Sequence, residues 1–208
     1  NLVNIYGAVI EDPRYGYVME YCSRGSLLKL LQQQSSVEMS RQLRLNILLD
    51  IARGMAFLHS KNVIHRDLKC DNVLLDDKFV AKIADLGISK ILQVQQQSSQ
   101  LVNHSHGNGS NYGSVMTMMV GSSGFIAPEV YKSDNYDNKC DVFSFAIIMF
   151  ELLADTNDPY NGQWQVETIV ASNPTFRPIL PNHVGMQLGE DKLKFVDLMT
   201  RSWLHSAA

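Results

Sequence analysis

Residues 63–76 read V-I-H-R-D-L-K-C-D-N-V-L-L-D, and we expect the rest of the fold to be organised around this stretch. Apolar residues at its two ends predict short buried strands with a rigid loop between them. A loop held in this way can aim an aspartate at a substrate hydroxyl and an asparagine at a metal ion. The polar side chains of the loop are Arg66, Asp67, Lys69 and Asn72.

The composition is that of a globular protein in water. Apolar residues make up 45% of the chain and charged residues 19%, which is close to the average for globular domains. A chain of 208 residues is long enough for one domain with a substantial core. The formal net charge of −3 provides no basic surface of the kind that binds nucleic acid, so we expect no nucleic-acid partner.

The cysteines and the apolar runs bear on the compartment. The three cysteines are odd in number and widely spaced, so they favour neither a disulfide framework nor a zinc site. No signal peptide is recognised at the start. The longest apolar run, residues 142–150, stops at Glu151 and is too short to span a bilayer. We therefore expect a cytoplasmic setting without membrane contact, either as a separate protein or as the cytoplasmic part of a larger one.

Hydrophobic periodicity predicts several further elements. Residues 40–60 are the strongest helix candidate, because apolar residues recur every three or four positions and form one face: Leu43, Ile47, Ile51, Met55 and Leu58. Residues 1–10 and 15–21 are typical of two strands joined by a turn. The remaining predictions are a strand at 79–84 and helices at 27–34, 142–153 and 193–203.

The loop resembles the catalytic loop of the protein kinase family, which reads H-R-D-L-x-x-x-N. All the specified positions of that motif are present between His65 and Asn72. Thirteen residues after Asn72, Asp85-Leu86-Gly87 is similar to the D-F-G motif whose aspartate holds magnesium. Leu86 replaces the usual phenylalanine, which affects inhibitor preference and the active/inactive balance rather than metal binding. A chance solvated loop is the alternative, and a second motif at the family's spacing counts against it.

Two later stretches also resemble kinase motifs. Residues 121–129, G-S-S-G-F-I-A-P-E, resemble the end of a kinase activation segment. Ser122 stands where Ser/Thr kinases place a hydroxyl between the catalytic aspartate and lysine. Residues 140–145, C-D-V-F-S-F, are similar to the D-V-W-S-F-G start of the large central helix. The resemblance implies that Asp141 caps this helix and also braces the backbone of the catalytic loop. The alternative is that Asp141 is simply an N-cap. The two readings can hold together.

Residues 91–118 stand at the position of the activation loop and resemble one that is lengthened by a polar, low-complexity insertion. The glycines of this segment have the wrong spacing for a phosphate-binding loop, and no predicted strand precedes them. His104 and His106 have no cysteine or acidic partner nearby, so a metal site is not favoured here.

The resemblance also implies regulation. An arginine beside the catalytic aspartate, here Arg66, can pair with a phosphorylated activation loop. The candidate phosphorylation sites are Thr117, Ser110 and Ser114. In the family the glutamate of A-P-E, here Glu129, pairs with an arginine near the end of the domain. The printed sequence has no arginine at that place, so we expect Glu129 to lack its partner.

The activity implied by the resemblance is phosphoryl transfer from ATP to a protein serine or threonine, with Mg²⁺ as cofactor. Asp67 would orient or accept the substrate hydroxyl, and Lys69 would contact the transferred phosphate. Asn72 and Asp85 would hold magnesium. Lys69, two residues after Asp67, favours serine and threonine over tyrosine as acceptors. The implied nucleotide contacts are the gatekeeper, the backbone of the hinge and a pocket residue: Met19, Glu20, Cys22 and Leu74.

The predicted fold is α+β and protein-kinase-like, with residues 1–22 as the remnant of the small lobe and hinge and 23–208 as the large lobe. Residues 121–129, with Arg177-Pro178 and Trp203, resemble the tyrosine-kinase-like group of Ser/Thr kinases. The glycine-rich loop, strand lysine and helix glutamate of a kinase have no counterpart in the sequence. We therefore expect an incomplete domain that is inactive by itself. A non-catalytic, pseudokinase-like scaffold is the alternative.

Overall fold

The computed structural model describes residues 1–12, 14–33, 39–87, 89–91, 124–131, 136–173, 175–181 and 191–204. The predicted polar insertion beyond residue 91, the candidate sites Ser110, Ser114 and Thr117, and Ser122 lie outside the described residues. The described helices are α1 (Leu27–Gln32), α2 (Arg41–Ser60), α3 (Lys139–Ala154), α4 (Val166–Ser172) and α5 (Lys192–Ser202). The described strands are β1 (Ile5–Glu11), β2 (Arg14–Met19), β3 (Gly25–Ser26), β4 (Val63–Ile64), β5 (Val73–Leu75), β6 (Ala81–Ile83) and β7 (Lys90–Ile91).

Helix α2 is the strongest helix predicted from the sequence, and its N-cap is Ser40. The Ser40 hydroxyl accepts a hydrogen bond from the N–H of Leu43 at 3.2 Å, which satisfies one of the free donors of the first turn. The predicted apolar face is buried, apart from the half-buried Leu43. Gly54 lies on the same face, where a Cβ would meet the carbonyl oxygen of Asn1 at 2.6 Å. Glycine therefore permits the close approach of the N-terminal strand.

Helix α3 forms the centre of the core, since thirteen of its sixteen residues are buried. It begins at Lys139, three residues earlier than predicted. The prediction that Asp141 caps this helix is wrong, because Asp141 lies inside the first turn. The carboxylate of Asp137 accepts the N–H of Lys139 at 2.8 Å instead. Although α3 is strongly apolar, neither it nor any other helix in the described ranges is long and apolar enough to cross a membrane.

Short antiparallel strands hold residues 63–76 on both sides, as predicted. Strand β4 precedes the loop and pairs with β7, whereas β5 follows it and lies between β3 and β6. The turn from β5 to β6 is closed by Asp76 Oδ1, which accepts the N–H groups of Lys78 and Val80, each at 2.9 Å. Four apolar side chains anchor the stretch in the core: Ile64, Leu68, Val73 and Leu75.

Strands β1 and β2 form the predicted antiparallel hairpin. Every residue in the two strands is exposed, so both faces of the hairpin meet solvent. Backbone hydrogen bonds connect the hairpin's ends to the body. Val3 N–H donates to the Ile83 carbonyl and Ile83 N–H donates to the Asn1 carbonyl, each at 2.9 Å. The two-stranded hairpin and the mainly helical body make an α+β arrangement, as predicted.

Candidate active site

Three predicted catalytic side chains meet on the loop between β4 and β5. Asp67 Oδ2 accepts a hydrogen bond from Asn72 Nδ2 at 2.9 Å and forms an ion pair with Lys69 Nζ at 3.1 Å. Asn72 Nδ2 also donates to the backbone carbonyl of Asp67 at 2.8 Å. The Asn72 amide nitrogen is therefore engaged with Asp67, and its oxygen is the atom that can face a cation.

Asp141 of α3 binds the backbone of this loop. Its Oδ2 accepts the N–H of His65 and its Oδ1 accepts the N–H of Arg66, each at 2.9 Å. The ring of His59, at the end of α2, approaches Oδ2 at 2.8 Å. Arg66 has a φ of 72°, a conformation that is unusual for a residue with a side chain. The two backbone bonds to Asp141 hold it there, so the predicted bracing contact is present.

His65 connects the loop to the strand that leads to Asp85. Its ring is completely buried. Nδ1 accepts the N–H of Asp67 at 3.2 Å and Nε2 donates to the Ala84 carbonyl at 3.0 Å, a pattern that fits a neutral imidazole with its proton on Nε2. A backbone bond of 2.8 Å from Ala84 N–H to the Asn72 carbonyl adds to this link. The catalytic loop and the Asp85 segment are therefore tied together just before they reach the site.

A cleft of about 540 Å³ opens between the hairpin and the helical body. Most of its lining residues are apolar and three are polar, which suits a ligand with both an aromatic part and an anionic part. The lining includes four residues predicted for the site: Met19, Leu74, Asn72 and Asp85. The other lining residues are Val3, Ile5, Tyr17, Asp71, Ile83, Ala84, Leu86 and Gly87.

The pair of Asn72 and Asp85 fits the requirements of Mg²⁺, which binds through one or two carboxylates and keeps several water or phosphate ligands. Asp85 has a φ of 59°, and its Oδ1 accepts the Gly87 N–H at 3.3 Å. Within the described ranges no group of three or more His, Cys, Asp or Glu side chains could hold a metal ion. Asn72 and Asp85 line the same cleft and both carry oxygen atoms, so they are the residues that could hold such an ion.

The side chain of Glu20, in the predicted hinge, makes polar contacts on two sides. The Glu20 carboxylate accepts a hydrogen bond from Asn4 Nδ2 at 2.9 Å and also binds Lys82 Nζ. The hydrogen bond from Lys82 is the main cause that lowers the pKa of Glu20, and the same bond raises the pKa of Lys82. Glu20 therefore links Asn4, just before β1, to Lys82 of β6. The carbonyl of Cys22 accepts the Gly25 N–H at 3.1 Å.

The prediction that Glu129 lacks a partner is wrong, because Glu129 does interact with its surroundings. Its charge reaches Arg177, whose pKa is lowered by burial, while Tyr160 and Glu129 act in the opposite direction. Arg177 Nε also donates to the Trp203 carbonyl at 2.7 Å. Arg177, which follows α4, therefore interacts electrostatically with Glu129. Its position in the sequence did not predict this interaction.

The segment at 124–131 is held by two hydroxyl groups from the helical body. Tyr160 donates to the Gly124 carbonyl at 3.1 Å, and Ser144 of α3 donates to the Phe125 carbonyl at 2.7 Å. Gly124 has a φ of +86°, and a Cβ there would come within 3.0 Å of the Tyr160 ring. A residue with a side chain is therefore disfavoured at this position.

One contact between the loop and α3 was not predicted from the sequence. Cys70 Sγ donates a hydrogen bond of 2.9 Å to Glu151 Oε2 on α3. Burial raises the pKa of Glu151 to about 7, against the Cys70 hydrogen bond, which lowers it. The only signal in the sequence is a glutamate that interrupts a long apolar run.

A comparison with protein families matches residues 1–206 to the model described as protein tyrosine and serine/threonine kinase. The chain is 36% identical over 98% of its length to the probable serine/threonine-protein kinase drkD of Dictyostelium discoideum. It is 32% identical over its full length to the serine/threonine-protein kinase STY17 of Arabidopsis thaliana. It covers 14% and 32% of the lengths of these two relatives. This chain belongs to the protein tyrosine and serine/threonine kinase family and has its protein-kinase-like fold.

Proposed function

We propose that the protein is an ATP-dependent serine/threonine protein kinase. In this proposal residues 1–22 are small-lobe strands and the hinge, and residues 23–208 are the large lobe. The main support is one observation: Asp67 is bound by Lys69 and Asn72 beside the cleft. Positioned charges of this kind supply most of the rate enhancement in phosphoryl transfer.

Each residue has a defined role in the proposed reaction. Asp67 orients the acceptor hydroxyl and takes up its proton. Lys69 places a positive charge beside the phosphoryl group during transfer. The Asn72 oxygen and the Asp85 carboxylate would hold magnesium, which when bound neutralises charge on the phosphate oxygens. Because His65 and Asp141 fix the loop backbone, these groups need little rearrangement during the reaction.

The nucleotide is proposed to occupy the cleft with its base between the apolar walls. Met19 and Leu74 would contact the base, and the hinge backbone at Glu20 and Cys22 would bond its polar edge. The cleft volume of about 540 Å³ lies within the range of sites for small molecules and cofactors. The apolar residues of the lining suit an aromatic base, and the oxygen atoms of Asn72 and Asp85 suit a metal-bound phosphate chain.

The protein acceptor is proposed to carry serine or threonine. Lys69, two residues after Asp67, supports this choice, and Ser122 is expected to assist near the same place. The relatives named above are themselves called serine/threonine kinases, although one relative of 35% identity, HT1 of Arabidopsis thaliana, is called a serine/threonine/tyrosine-protein kinase. The three cysteines are free and buried, which supports a reducing cytoplasmic setting.

We also propose that phosphorylation at Thr117, Ser110 or Ser114 activates the enzyme through Arg66. Arg66 Nη1 donates to the Tyr136 hydroxyl at 3.3 Å, and Arg66 lines a small cavity together with Ile126 and Val130 of the segment 124–131. Replacing the three hydroxyl residues with alanine together should abolish activation of the intact protein. Unchanged activity of the triple variant would contradict this part of the proposal.

The kinase proposal is tested by phosphate transfer from radiolabelled ATP to a mixture of peptides, with the intact protein and Mg²⁺. Asp67→Asn should lower kcat by about a thousandfold. Asp85→Asn should lower it similarly and raise the Mg²⁺ concentration needed for half-maximal rate. The matched control is Asp77→Asn, an exposed aspartate in the turn between β5 and β6, which should leave the rate unchanged.

Two results would contradict the proposal. Labelled peptide that forms equally well with Asp67→Asn would show that another protein in the preparation is the kinase. Binding of ATP without transfer under any condition would favour the non-catalytic scaffold.

A further inference from the structure

A buried thiol and a buried carboxyl meet beneath the catalytic loop. The hydrogen bond from Cys70 Sγ to Glu151 Oε2 joins residues that are 81 positions apart in the sequence. Each of the two residues is only 1% exposed. Cys70 begins the 3₁₀ turn Cys70–Asn72 and directly follows Lys69. A bond to its side chain therefore fixes the part of the loop that carries Lys69 and Asn72.

The Glu151 carboxyl is poorly compensated for a group inside the core. Glu151 accepts its hydrogen bond from the Cys70 thiol, and a thiol is a weak donor. Nearby acids make ionisation harder still. The titratable groups around it lie on the loop, on the segment after α3 and on α2: Cys70, Asp71, Asp158, Tyr160 and Arg44. The guanidinium of Arg44 binds the Leu152 carbonyl and Asp155. On the α5 side, the contact next to Glu151 is apolar, because Trp203 packs on Phe150.

These surroundings give the Cys70 thiol and the Glu151 carboxyl different protonation states near neutral pH. Burial raises the pKa of the Cys70 thiol well above its ordinary value, so the thiol keeps its proton and remains a donor near neutral pH. Burial raises the pKa of Glu151 to about 7, so its carboxyl gains and loses a proton in the physiological range.

We propose that Glu151 is a positioning residue of the active site, which supports the turn between Lys69 and Asn72 through the Cys70 thiol and does so more firmly when its carboxyl is ionised. A carboxylate accepts a hydrogen bond more strongly than a neutral carboxyl group does. The turn is therefore held best above neutral pH, and the rate of phosphoryl transfer rises as Glu151 loses its proton. This inference rests on the proposed kinase function.

The first test measures kcat of the intact protein from about pH 6 to about pH 8.5, with saturating MgATP and peptide. Glu151→Gln keeps the shape of the side chain but cannot ionise. The ratio of wild-type kcat to the kcat of this variant should rise about threefold to tenfold across the range. Cys70→Ser retains a donor, so whatever its absolute rate, its kcat should rise with pH as that of the wild type does. A ratio that stays flat with pH would overturn the inference.

The second test does not depend on activity. The S–H stretching band of Cys70 is obtained as the infrared difference between the wild type and Cys70→Ser. The band should shift between about pH 6 and about pH 8.5 in the wild type and stay constant in Glu151→Gln, because only an ionising acceptor changes the strength of the bond. A constant wild-type band would overturn the inference. An inactive wild-type protein with a shifting band would instead count against the kinase proposal alone.

Discussion

The two ends of helix α3 carry carboxyl groups that are equally shielded from solvent but differently hydrogen-bonded. Asp141 and Glu151 are each 1% exposed. Asp141 is bound by two backbone N–H groups of the catalytic loop and by the His59 ring, whereas the bond found to Glu151 comes from the Cys70 thiol. The free energy of a buried charge therefore depends on the donors around it as well as on its depth.

Both carboxyl groups act on the same stretch of chain. Asp141 binds the loop before Asp67, and Glu151 binds it after Lys69. One end of α3 thus holds the loop through strong N–H donors, and the other holds it through a weak donor. Four substitutions test whether burial and donor strength account for the difference between these sites.

The largest effect is expected from Asp141→Ala. The substitution leaves two buried backbone N–H groups and the His59 ring without their acceptor, so the free energy of unfolding should fall by about 3–5 kcal/mol. Urea denaturation followed by circular dichroism measures this change. Asp141→Asn is the matched control, since it keeps the shape and one acceptor and should lose less. A loss below about 1 kcal/mol for the alanine variant would show that these bonds do not hold the loop.

The next effect is the pH dependence that Glu151 gives to stability. Its pKa in the folded protein is about 7, above the ordinary 4.5, so folding favours the protonated form. The contribution is complete below about pH 4.5 and is lost as pH rises through about 7, by at most about 3 kcal/mol. The difference in unfolding free energy between the wild type and Glu151→Gln, measured at a series of pH values, should follow this curve. Parallel curves for the two proteins would contradict the prediction.

A smaller effect is expected from Cys70→Ala. The thiol's hydrogen bond lowers the pKa of Glu151, so its removal should move that pKa further above 7. The loss of stability with rising pH should then extend to higher pH, with an added cost of about 1–2 kcal/mol from the small cavity. Cys22→Ala, at a buried cysteine in the hinge, is the control and should leave the pH dependence unchanged. A pKa of Glu151 that does not move would show that the thiol contributes little.

The smallest effect is expected at an exposed carboxylate. Asp191 precedes α5, pairs with Arg41 and Lys194, and has a side chain that is 41% exposed. Water can replace both partners, so Asp191→Ala should change the free energy of unfolding by less than about 1 kcal/mol. The same urea titration measures it. A loss comparable to that of Asp141→Ala would mean that burial is not what separates these sites.

The sequence predicted the catalytic loop, its flanking strands and the apolar face of α2. These features depend on neighbours in the chain, because periodicity and motif spacing are local properties. The same reasoning failed for Asp141 as a helix cap. An aspartate near a helix start is a common cap, but the helix begins at Lys139 and the carboxylate finds stronger donors on the loop.

Other contacts join residues that no local pattern connects. Glu20 binds Asn4 on one side and Lys82 on the other. The hinge was predicted through its backbone alone, so its side chain received no role. The charge of Glu129 raises the pKa of Arg177, although the two residues are far apart in the sequence. Each of these pairs exists only because the core brings distant segments together.

The order and spacing of side chains along the chain were sufficient to identify the residues of the loop and the family that the loop resembles. The charge of each buried group, in contrast, depends on the folded arrangement. The free energy of ionisation depends on the donors and acids that surround a group in space. For Glu151 the hydrogen-bond donor, Cys70, lies 81 positions away in the sequence.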